Sequence, residues 1–358
     1  MDKQQFTCQL ADWHLSENKR ELPWKEEKDA YKIWLSEIIL QQTRAGMAIK
    51  YYDAFIKHYP TIVQLANARD EEVFKLWEGL GYYTRCRNLL ATARYIANHL
   101  DGRFPNRYED ILALKGVGPY TAAAIASFAY NLSYAVVDGN VFRVLSRCFN
   151  VSVPIDSNEG KKMFTLLANE VLDKKNPAKH NQAIMDFGAT ICKPISPLCN
   201  VCPMQNQCEA YLQGTVNERP VKAKLKERKD RWFAYFIFSV DDTTLVHQRA
   251  QKDIWQQLHE FYLVETGTQK AWKEEDVHAY LKHQFSVTDA NIKYISPELS
   301  QQLTHQTVHA VFIKVKMLKK PSNLSDYNWV SEQQMKELAF PKIINEYLNS
   351  TSFPATLF

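Results

Sequence analysis

Along the chain the apolar positions first recur with helical spacing and then, past residue 231, run together or alternate as they do in strands. Residues 1 to about 214 predict helices joined by short polar loops. Segment 29–42, DAYKIWLSEIILQQ, sets Ala30, Ile33, Trp34, Ile38 and Gln41 on one helical face, with Glu37 on the same stripe. Residues 111–129, ILALKGVGPYTAAAIASFA, predict a helix ending at Lys115, a hairpin through Gly116 and Gly118, and a second helix with Pro119 near its first position. Residues 133–147, SYAVVDGNVFRVLSR, end an apolar run at Asp138-Gly139-Asn140 and resume as a helix with Arg143 and Arg147 on one side. From Arg231 the pattern predicts strands at 232–240, 243–250, 261–266 and 309–318, with helical stretches near 273–284 and 332–349. The fold class expected is therefore an all-α unit followed by a separate α+β unit.

Length agrees with that division. A chain of 358 residues makes two or three domains of ordinary size, and a hydrophobic fraction of 46% supplies their cores. We expect a helical region over 1–214, a basic linker over 215–230 and the α+β region over 231–358. No apolar run reaches the span of a bilayer, and the start MDKQQFTCQL lacks the pattern of a secretion signal. These features predict a cytoplasmic protein without a membrane partner. A formal charge of +4 does not by itself announce a polyanion partner, but residues 219–231, RPVKAKLKERKDR, concentrate seven basic groups.

The densest chemistry lies in CKPISPLCNVCPMQNQC. Cys192, Cys199, Cys202 and Cys208 have six, two and five residues between them, and Pro194, Pro197 and Pro203 stiffen the loop. Four thiolates in that spacing predict a metal site. One compact loop with a single CxxC favours a 4Fe-4S cluster over zinc, which also accepts four thiolates.

Two carboxylates stand out. Glu37 on an apolar stripe is either a boundary side chain that reaches solvent or a general acid whose pKa burial raises. Asp138 is a natural helix cap, and in a cleft it would also stabilise a cationic sugar. The loop EGLGYYTRCRNL, residues 78–89, combines turn glycines with Tyr82, Tyr83, Arg85 and Arg87, a mixture suited equally to helix capping and to stacking on bases beside phosphates. Gly116 and Gly118 before a helix N-terminus would expose backbone N–H groups to a DNA phosphate.

Taken in order, LSEIILQQT, GLGYY, LKGVGPYT, VDGNVFRVLSR and the cysteine loop resemble the helix-hairpin-helix DNA glycosylase superfamily, and within it the adenine DNA glycosylases of the MutY type. The stretch VHQRAQKDIWQQLHEFYLVE is similar to the Nudix-like domain of the same family. No REUxEE-type run follows it, so pyrophosphatase activity is not expected. The resemblance implies a helix-hairpin-helix glycosylase domain with a 4Fe-4S loop, a C-terminal Nudix-like domain, and a repair enzyme acting as a monomer. Its substrate would be double-stranded DNA containing adenine opposite 8-oxoguanine or guanine. In that family Glu37 matches the acid that protonates the adenine, Asp138 the carboxylate that stabilises the sugar, and Tyr120 and Asn140 the supporting polar residues. Arg20, Gln41, Gln42, Thr43, Tyr82, Gly116, Gly118 and Arg143 fall in its DNA-binding motifs. QQLTH, residues 301–305, stands where the family has H-x-F-S-H, keeping a hydroxyl in Thr304 and an imidazole in His305. Tyr120 also stands where endonuclease-III-like lyases carry a Schiff-base lysine, which implies a monofunctional enzyme. A glycosylase/lyase and a non-catalytic iron–sulfur DNA-binding protein are the alternatives.

Overall fold

The computed structural model describes residues 1–223, 228–321, 324 and 326–350. Residues 224–227 of the basic stretch lie outside them. Twelve segments form the helical succession: α1 (Lys3–Ser16), α2 (Ala30–Leu40), α3 (Ala45–His58), α4 (Ile62–Ala66), α5 (Asp70–Trp77) and α6 (Thr84–His99) come first among the described residues. They are followed by α7 (Tyr108–Leu112), α8 (Pro119–Tyr130), α9 (Gly139–Cys148), α10 (Asn158–Val171), α11 (Pro177–Thr190) and the short α12 (Glu209–Leu212). The chain divides into two compact units, Met1–Asn67 with Arg87–Lys224, and Ala68–Cys86 with Leu225–Phe358.

In the first unit the starts of the helices follow from their caps. Asp2 accepts from the Gln5 N–H and Asp29 from the Tyr31 N–H, so α1 and α2 each begin with an orphan donor satisfied. Helix α2 is buried on nearly every side, from Ala30 through Ile39, rather than along one stripe. It packs on α8 and α3. Ala122, Ala123, Ala124 and Ala126 of α8 are all buried, and their small side chains let the two helix backbones approach. Phe6, Leu10, Trp13, Val144, Phe164 and Phe187 fill the core among α1, α9, α10 and α11.

The hairpin between α7 and α8 differs slightly from expectation. The first helix ends at Leu112 rather than Lys115, because Ala113 to Gly116 already turn. Gly116 has φ of 79°, and a Cβ there would stand 2.7 Å from that of Asn88, so both conformation and space demand glycine.

The second unit is built on a mixed sheet of β1 (Lys229–Val240), β2 (Thr243–Gln248), β3 (His259–Glu260), β4 (Tyr262–Thr266), β5 (Asn291–Ile295), β6 (Leu299–Gln302), β7 (Gln306–Lys316) and β8 (Asn328–Ser331). Strands β1 and β7 pair in parallel from Lys229↔Gln306 to Ser239↔Lys316, and the other pairings are antiparallel. Being central, β1 is buried on both faces from Phe233 to Val240. Helix α13 (Glu274–Phe285) covers Phe236 and Phe238 with Val277 and Leu281. After α14 (Glu332–Glu337), α15 (Lys342–Asn349) lies on the opposite face, where Tyr347 stacks on Phe312 at 4.0 Å. The same unit holds α5 and the GLGYY loop.

Candidate active site

Glu37 sits in the third turn of α2 and is 3% exposed, which removes the alternative of a side chain snorkelling to solvent. It lines a cavity of about 480 Å³ whose walls are Leu22, Trp24, Ile33, Leu40 and Phe128. Burial pushes its carboxyl up to about 7, and the charge of Asp138 pushes in the same direction, while the Tyr120 hydroxyl donating toward it pulls the other way. Its Oε2 has no hydrogen-bond partner among the described residues. An apolar wall, a neighbouring anion and an open valence together describe an acid that still holds its proton near neutral pH. Tyr120 itself is held far above its ordinary value by burial and by the two carboxylates, so its hydroxyl is a fixed donor.

Asp138 lines the same cavity. It caps α9, where its Oδ1 accepts from the Val141 N–H at 2.8 Å and its Oδ2 from Asn140 Nδ2 at 2.7 Å. Burial raises its pKa, but these donors and the Arg143 guanidinium oppose the rise. The helix N-terminus favours the same anionic form. Asn140 is itself pinned: a Cβ on Gly188 would stand 2.7 Å from its Cβ and 3.1 Å from its Cα, so α9 and α11 touch there through glycine.

Arg143 is engaged from within the protein. It is 8% exposed, and its guanidinium donates to Cys192 O (2.7 Å), Gly139 O (3.2 Å), Gly188 O (2.7 Å) and Asn140 Oδ1 (2.8 Å). These acceptors hold it inward and make it a brace for the turn that carries Asp138. Arg147, one turn further on, donates to Lys193 O at 2.7 Å and Val216 O at 3.0 Å. One helix thus carries Asp138 at its start and holds the cysteine loop from its later turns.

The mouth of the cavity gathers Arg20, Gln41, Gln42 and Thr43 with Gln182 and Met185. Gln41 Nε2 reaches Thr121 Oγ1 at 3.4 Å, and Gln42 follows in a left-handed conformation with φ of 58°. Arg20 is oriented by Asp186, a fully buried carboxylate 2.8 Å from its Nη1 that also accepts from Asn18 at 2.8 Å and lies 3.2 Å from Lys25 Nζ. Sequence reasoning missed Asp186, Gln182 and the aromatic wall of Trp24 and Phe128. The spacing of Gln182, Met185 and Asp186, three and four residues apart along α11, is the signal that one helical face was available.

All four cysteines of the loop open onto one small hollow, beside Phe187, Ile191 and Tyr211. Cys192 follows the end of α11, Cys199 and Cys202 flank a single 3-10 turn, and Cys208 precedes α12. Among the described residues no three His, Cys, Asp or Glu side chains converge as a single metal ion would require. In the second unit Tyr82, with φ of 48°, makes a hydrogen bond through its hydroxyl to Thr304 Oγ1. Thr304 and His305 are exposed at the tip between β6 and β7.

Comparison with known proteins fits this arrangement. Residues 35–169 match the HhH-GPD superfamily of base excision DNA repair proteins, and residues 234–350 match the NUDIX domain. An adenine DNA glycosylase of Buchnera aphidicola from Baizongia pistaciae is 35% identical over 71% of this chain and 72% of its own. The chain belongs to the adenine DNA glycosylases. It is accordingly an enzyme of base excision repair, a hydrolase of N-glycosyl bonds with DNA as its substrate. Another such glycosylase, from Buchnera of Schizaphis graminum, is 29% identical across 96% of this chain and 97% of its own. The human one is 41% identical over 57% of this chain and 39% of its own. A thermostable thymine-DNA glycosylase structure superposes with a TM-score of 0.55 and 32% identity, over 59% of this chain and 97% of that one. An endonuclease III structure trapped on DNA shares the fold, with a TM-score of 0.52 at 20% identity, over 60% of this chain and 99% of that one. No helix among the described residues of this glycosylase is long and apolar enough to cross a membrane.

Proposed function

We propose that this glycosylase removes adenine mispaired with 8-oxoguanine or guanine, without cutting the strand. The observation that carries the reading is that Glu37 and Asp138, 101 residues apart in the chain, line one cavity, Glu37 pushed up to about 7 by burial and Asp138 held by the Val141 N–H and Asn140 Nδ2 donors. Its volume of about 480 Å³ falls within the range of about 300–1,000 Å³ typical of small-molecule sites. The adenosine turns out of the stack into this hollow. Glu37 gives its proton to a ring nitrogen on the imidazole side of the base, which then leaves as neutral adenine when the C1′–N9 bond breaks. The anionic Asp138 stabilises the cationic sugar, as the paired carboxylates of glycosidases divide the same labour. Water adds to C1′ and gives its proton to the Glu37 carboxylate, which restores the acid and completes the hydrolysis. Tyr120 and Asn140 hold the two acids in place. Arg20, Gln41, Gln42 and Thr43 meet the DNA at the mouth, and Gly116 and Gly118 offer backbone N–H groups to a phosphate.

The donors present support monofunctional action. No lysine lines the cavity among the described residues, and the Arg20 guanidinium is a poor imine former. Base discrimination is assigned to Tyr82, Thr304 and His305, which stand on the second unit and meet the base opposite the adenine.

The four cysteines fit a 4Fe-4S cluster. Four soft donors around one hollow suit a group whose ligands attach to separate irons. Cys192, Cys199, Cys202 and Cys208 would hold it, and when bound it supplies a structural crosslink, since glycosidic hydrolysis transfers no net electrons. Arg147 and Arg143 position the loop from within.

Single-turnover excision from duplexes with adenine opposite 8-oxoguanine, guanine or cytosine tests the assignment. Release with the first two, little with the third and no adduct on borohydride treatment is the expected result. Equal release from all three would defeat it.

A further inference from the structure

Within the second unit, the loop that carries Tyr82 is held by a carboxylate that no part of the chemistry uses. Glu78 closes α5 just before Gly79. Its Oε1 accepts from the Phe340 N–H at 2.9 Å and from Asn345 Nδ2 at 2.9 Å. Its Oε2 lies 3.0 Å from Lys75 Nζ, which itself donates to Leu338 O at 2.9 Å. Glu78 therefore ties the loop to the turn that leads into α15.

The tie continues to the other reading element. At the start of α15 the Ile343 N–H donates to Gln301 Oε1 at 3.1 Å, and Gln301 belongs to β6, the strand that ends beside Thr304. The Tyr82 hydroxyl meets Thr304 and closes the circuit. Within the loop, Trp77 Nε1 donates to Gly81 O at 3.1 Å and the Gly79 N–H donates to the Tyr83 hydroxyl at 3.3 Å. These bonds pass the position of residue 78 on to residue 82. The result is a closed ring from Glu78 through 340–345, Gln301, Thr304 and Tyr82 back to Glu78.

We propose that Glu78 is a positioning residue for opposite-base discrimination, seating Tyr82 against Thr304 from the far side of the ring, with Gln301 as the second support. The inference rests on the reading that Tyr82 and Thr304 meet the opposite base. A preorganised pair loses discrimination when its mounting is loosened, even though neither side chain is altered.

The full-length enzyme is compared as wild type, Glu78→Ala, Glu78→Gln, Tyr82→Phe and Thr304→Ala. Affinity and single-turnover excision are measured on duplexes with adenine opposite 8-oxoguanine and opposite guanine. Glutamine keeps the Oε1 acceptor, so Glu78→Gln is the folded control and the rescue. The expected result is a fall of about tenfold in the 8-oxoguanine preference for Glu78→Ala, the scale of losing a charged acceptor with two donors. The rate at saturating enzyme on the guanine duplex should stay within about threefold, with the preference recovered in Glu78→Gln. If Tyr82→Phe and Thr304→Ala lower the preference while Glu78→Ala keeps it, the inference fails and the reading of the opposite base stands. If all three variants keep it, both fall. An equal loss of saturated rate on the two duplexes, unrescued by glutamine, would also overturn the inference, since it would mark Glu78 as a stability residue only.

Discussion

Asp138 raises the proton affinity of Glu37 across the cavity that both side chains line, adding to the larger effect of burial. The two acids are thereby separated in role by one environment: the enclosed carboxyl is held up to about 7, and the helix-capping one is anchored by N–H donors. On the proposed mechanism, excision needs Glu37 protonated and Asp138 ionised. We expect kcat/KM for adenine release to be bell-shaped, falling about tenfold per pH unit once the pH passes well above 7. The acidic limb reports Asp138 and should lie above the ordinary aspartate range. A profile flat from pH 6 to 9 would remove Glu37 from the role of acid.

The same raised pKa predicts a trade between activity and stability. In the unfolded chain Glu37 ionises near its ordinary value of 4.5, whereas in the folded protein it holds its proton to about 7. The contribution it makes is complete below pH 4.5 and is lost as pH rises through 7, because the folded state resists an ionisation that the unfolded state welcomes. Glu37→Gln has no such loss. Its excision rate should drop by about 10²–10⁴-fold, yet above pH 7 it should be the more stable protein by about 3 kcal/mol. Urea denaturation of both proteins at pH 4.5 and pH 8 reads this directly, and an advantage that fails to grow with pH counts against the assignment.

Asp138→Asn separates capping from catalysis. Asparagine still accepts from the Val141 N–H and caps α9 about as well as aspartate, so stability should change by less than about 1 kcal/mol. The anion proposed to stabilise the sugar is gone, and on that reading excision should fall by at least about a hundredfold. Gly188→Ala should act indirectly: its Cβ would meet Asn140 at 2.7 Å, displacing the donor to Asp138. We expect a cost of about 1–3 kcal/mol together with slower excision from a chain whose two acids are unchanged. Wild-type rates in Gly188→Ala would show that Asn140 does not hold Asp138 in place.

What the sequence revealed about this site depended on how far each residue's partners lay from it in the chain. Glu37 was legible because a carboxylate on an apolar helix is anomalous by itself, and Asp138 because a cap before a periodic run is local. The buried hydrogen bonding of Arg143 and Arg147 was not legible, since most of the carbonyls that bind them come from residues 188 to 219, which no helical pattern discloses. Asp186 escaped notice for the same reason, its partners being Asn18, Arg20 and Lys25. The long strands β1 and β7 announced themselves by apolar content. Strands β5, β6 and β8 are short and carry many polar residues, so only their pairing with longer neighbours defines them. Nothing local indicated that Tyr82 would meet Thr304, 222 residues later.

Arg147 gives the last test, because it joins the catalytic helix to the cysteine loop. Its guanidinium satisfies Lys193 O, Val216 O and Arg219 O at 2.7, 3.0 and 3.2 Å and approaches Cys192 Sγ at 3.5 Å. Arg147→Met keeps the apolar stem and strips these buried carbonyls of their donor, at a cost of about 3 kcal/mol. Lysine cannot repair it, since a single ammonium cannot span acceptors that the planar fork reaches together. Both variants should bind DNA more weakly and unfold earlier than wild type. The excision rate of the DNA-bound fraction should be less affected, because Asp138 is held from the other end of α9 by Arg143, Asn140 and its own bond to Val141. Single-turnover rates at saturating enzyme, read beside thermal unfolding, separate the two effects. A rate loss in Arg147→Met as deep as that of Asp138→Asn would mean that the cysteine loop governs the acid directly rather than through the stability of its support.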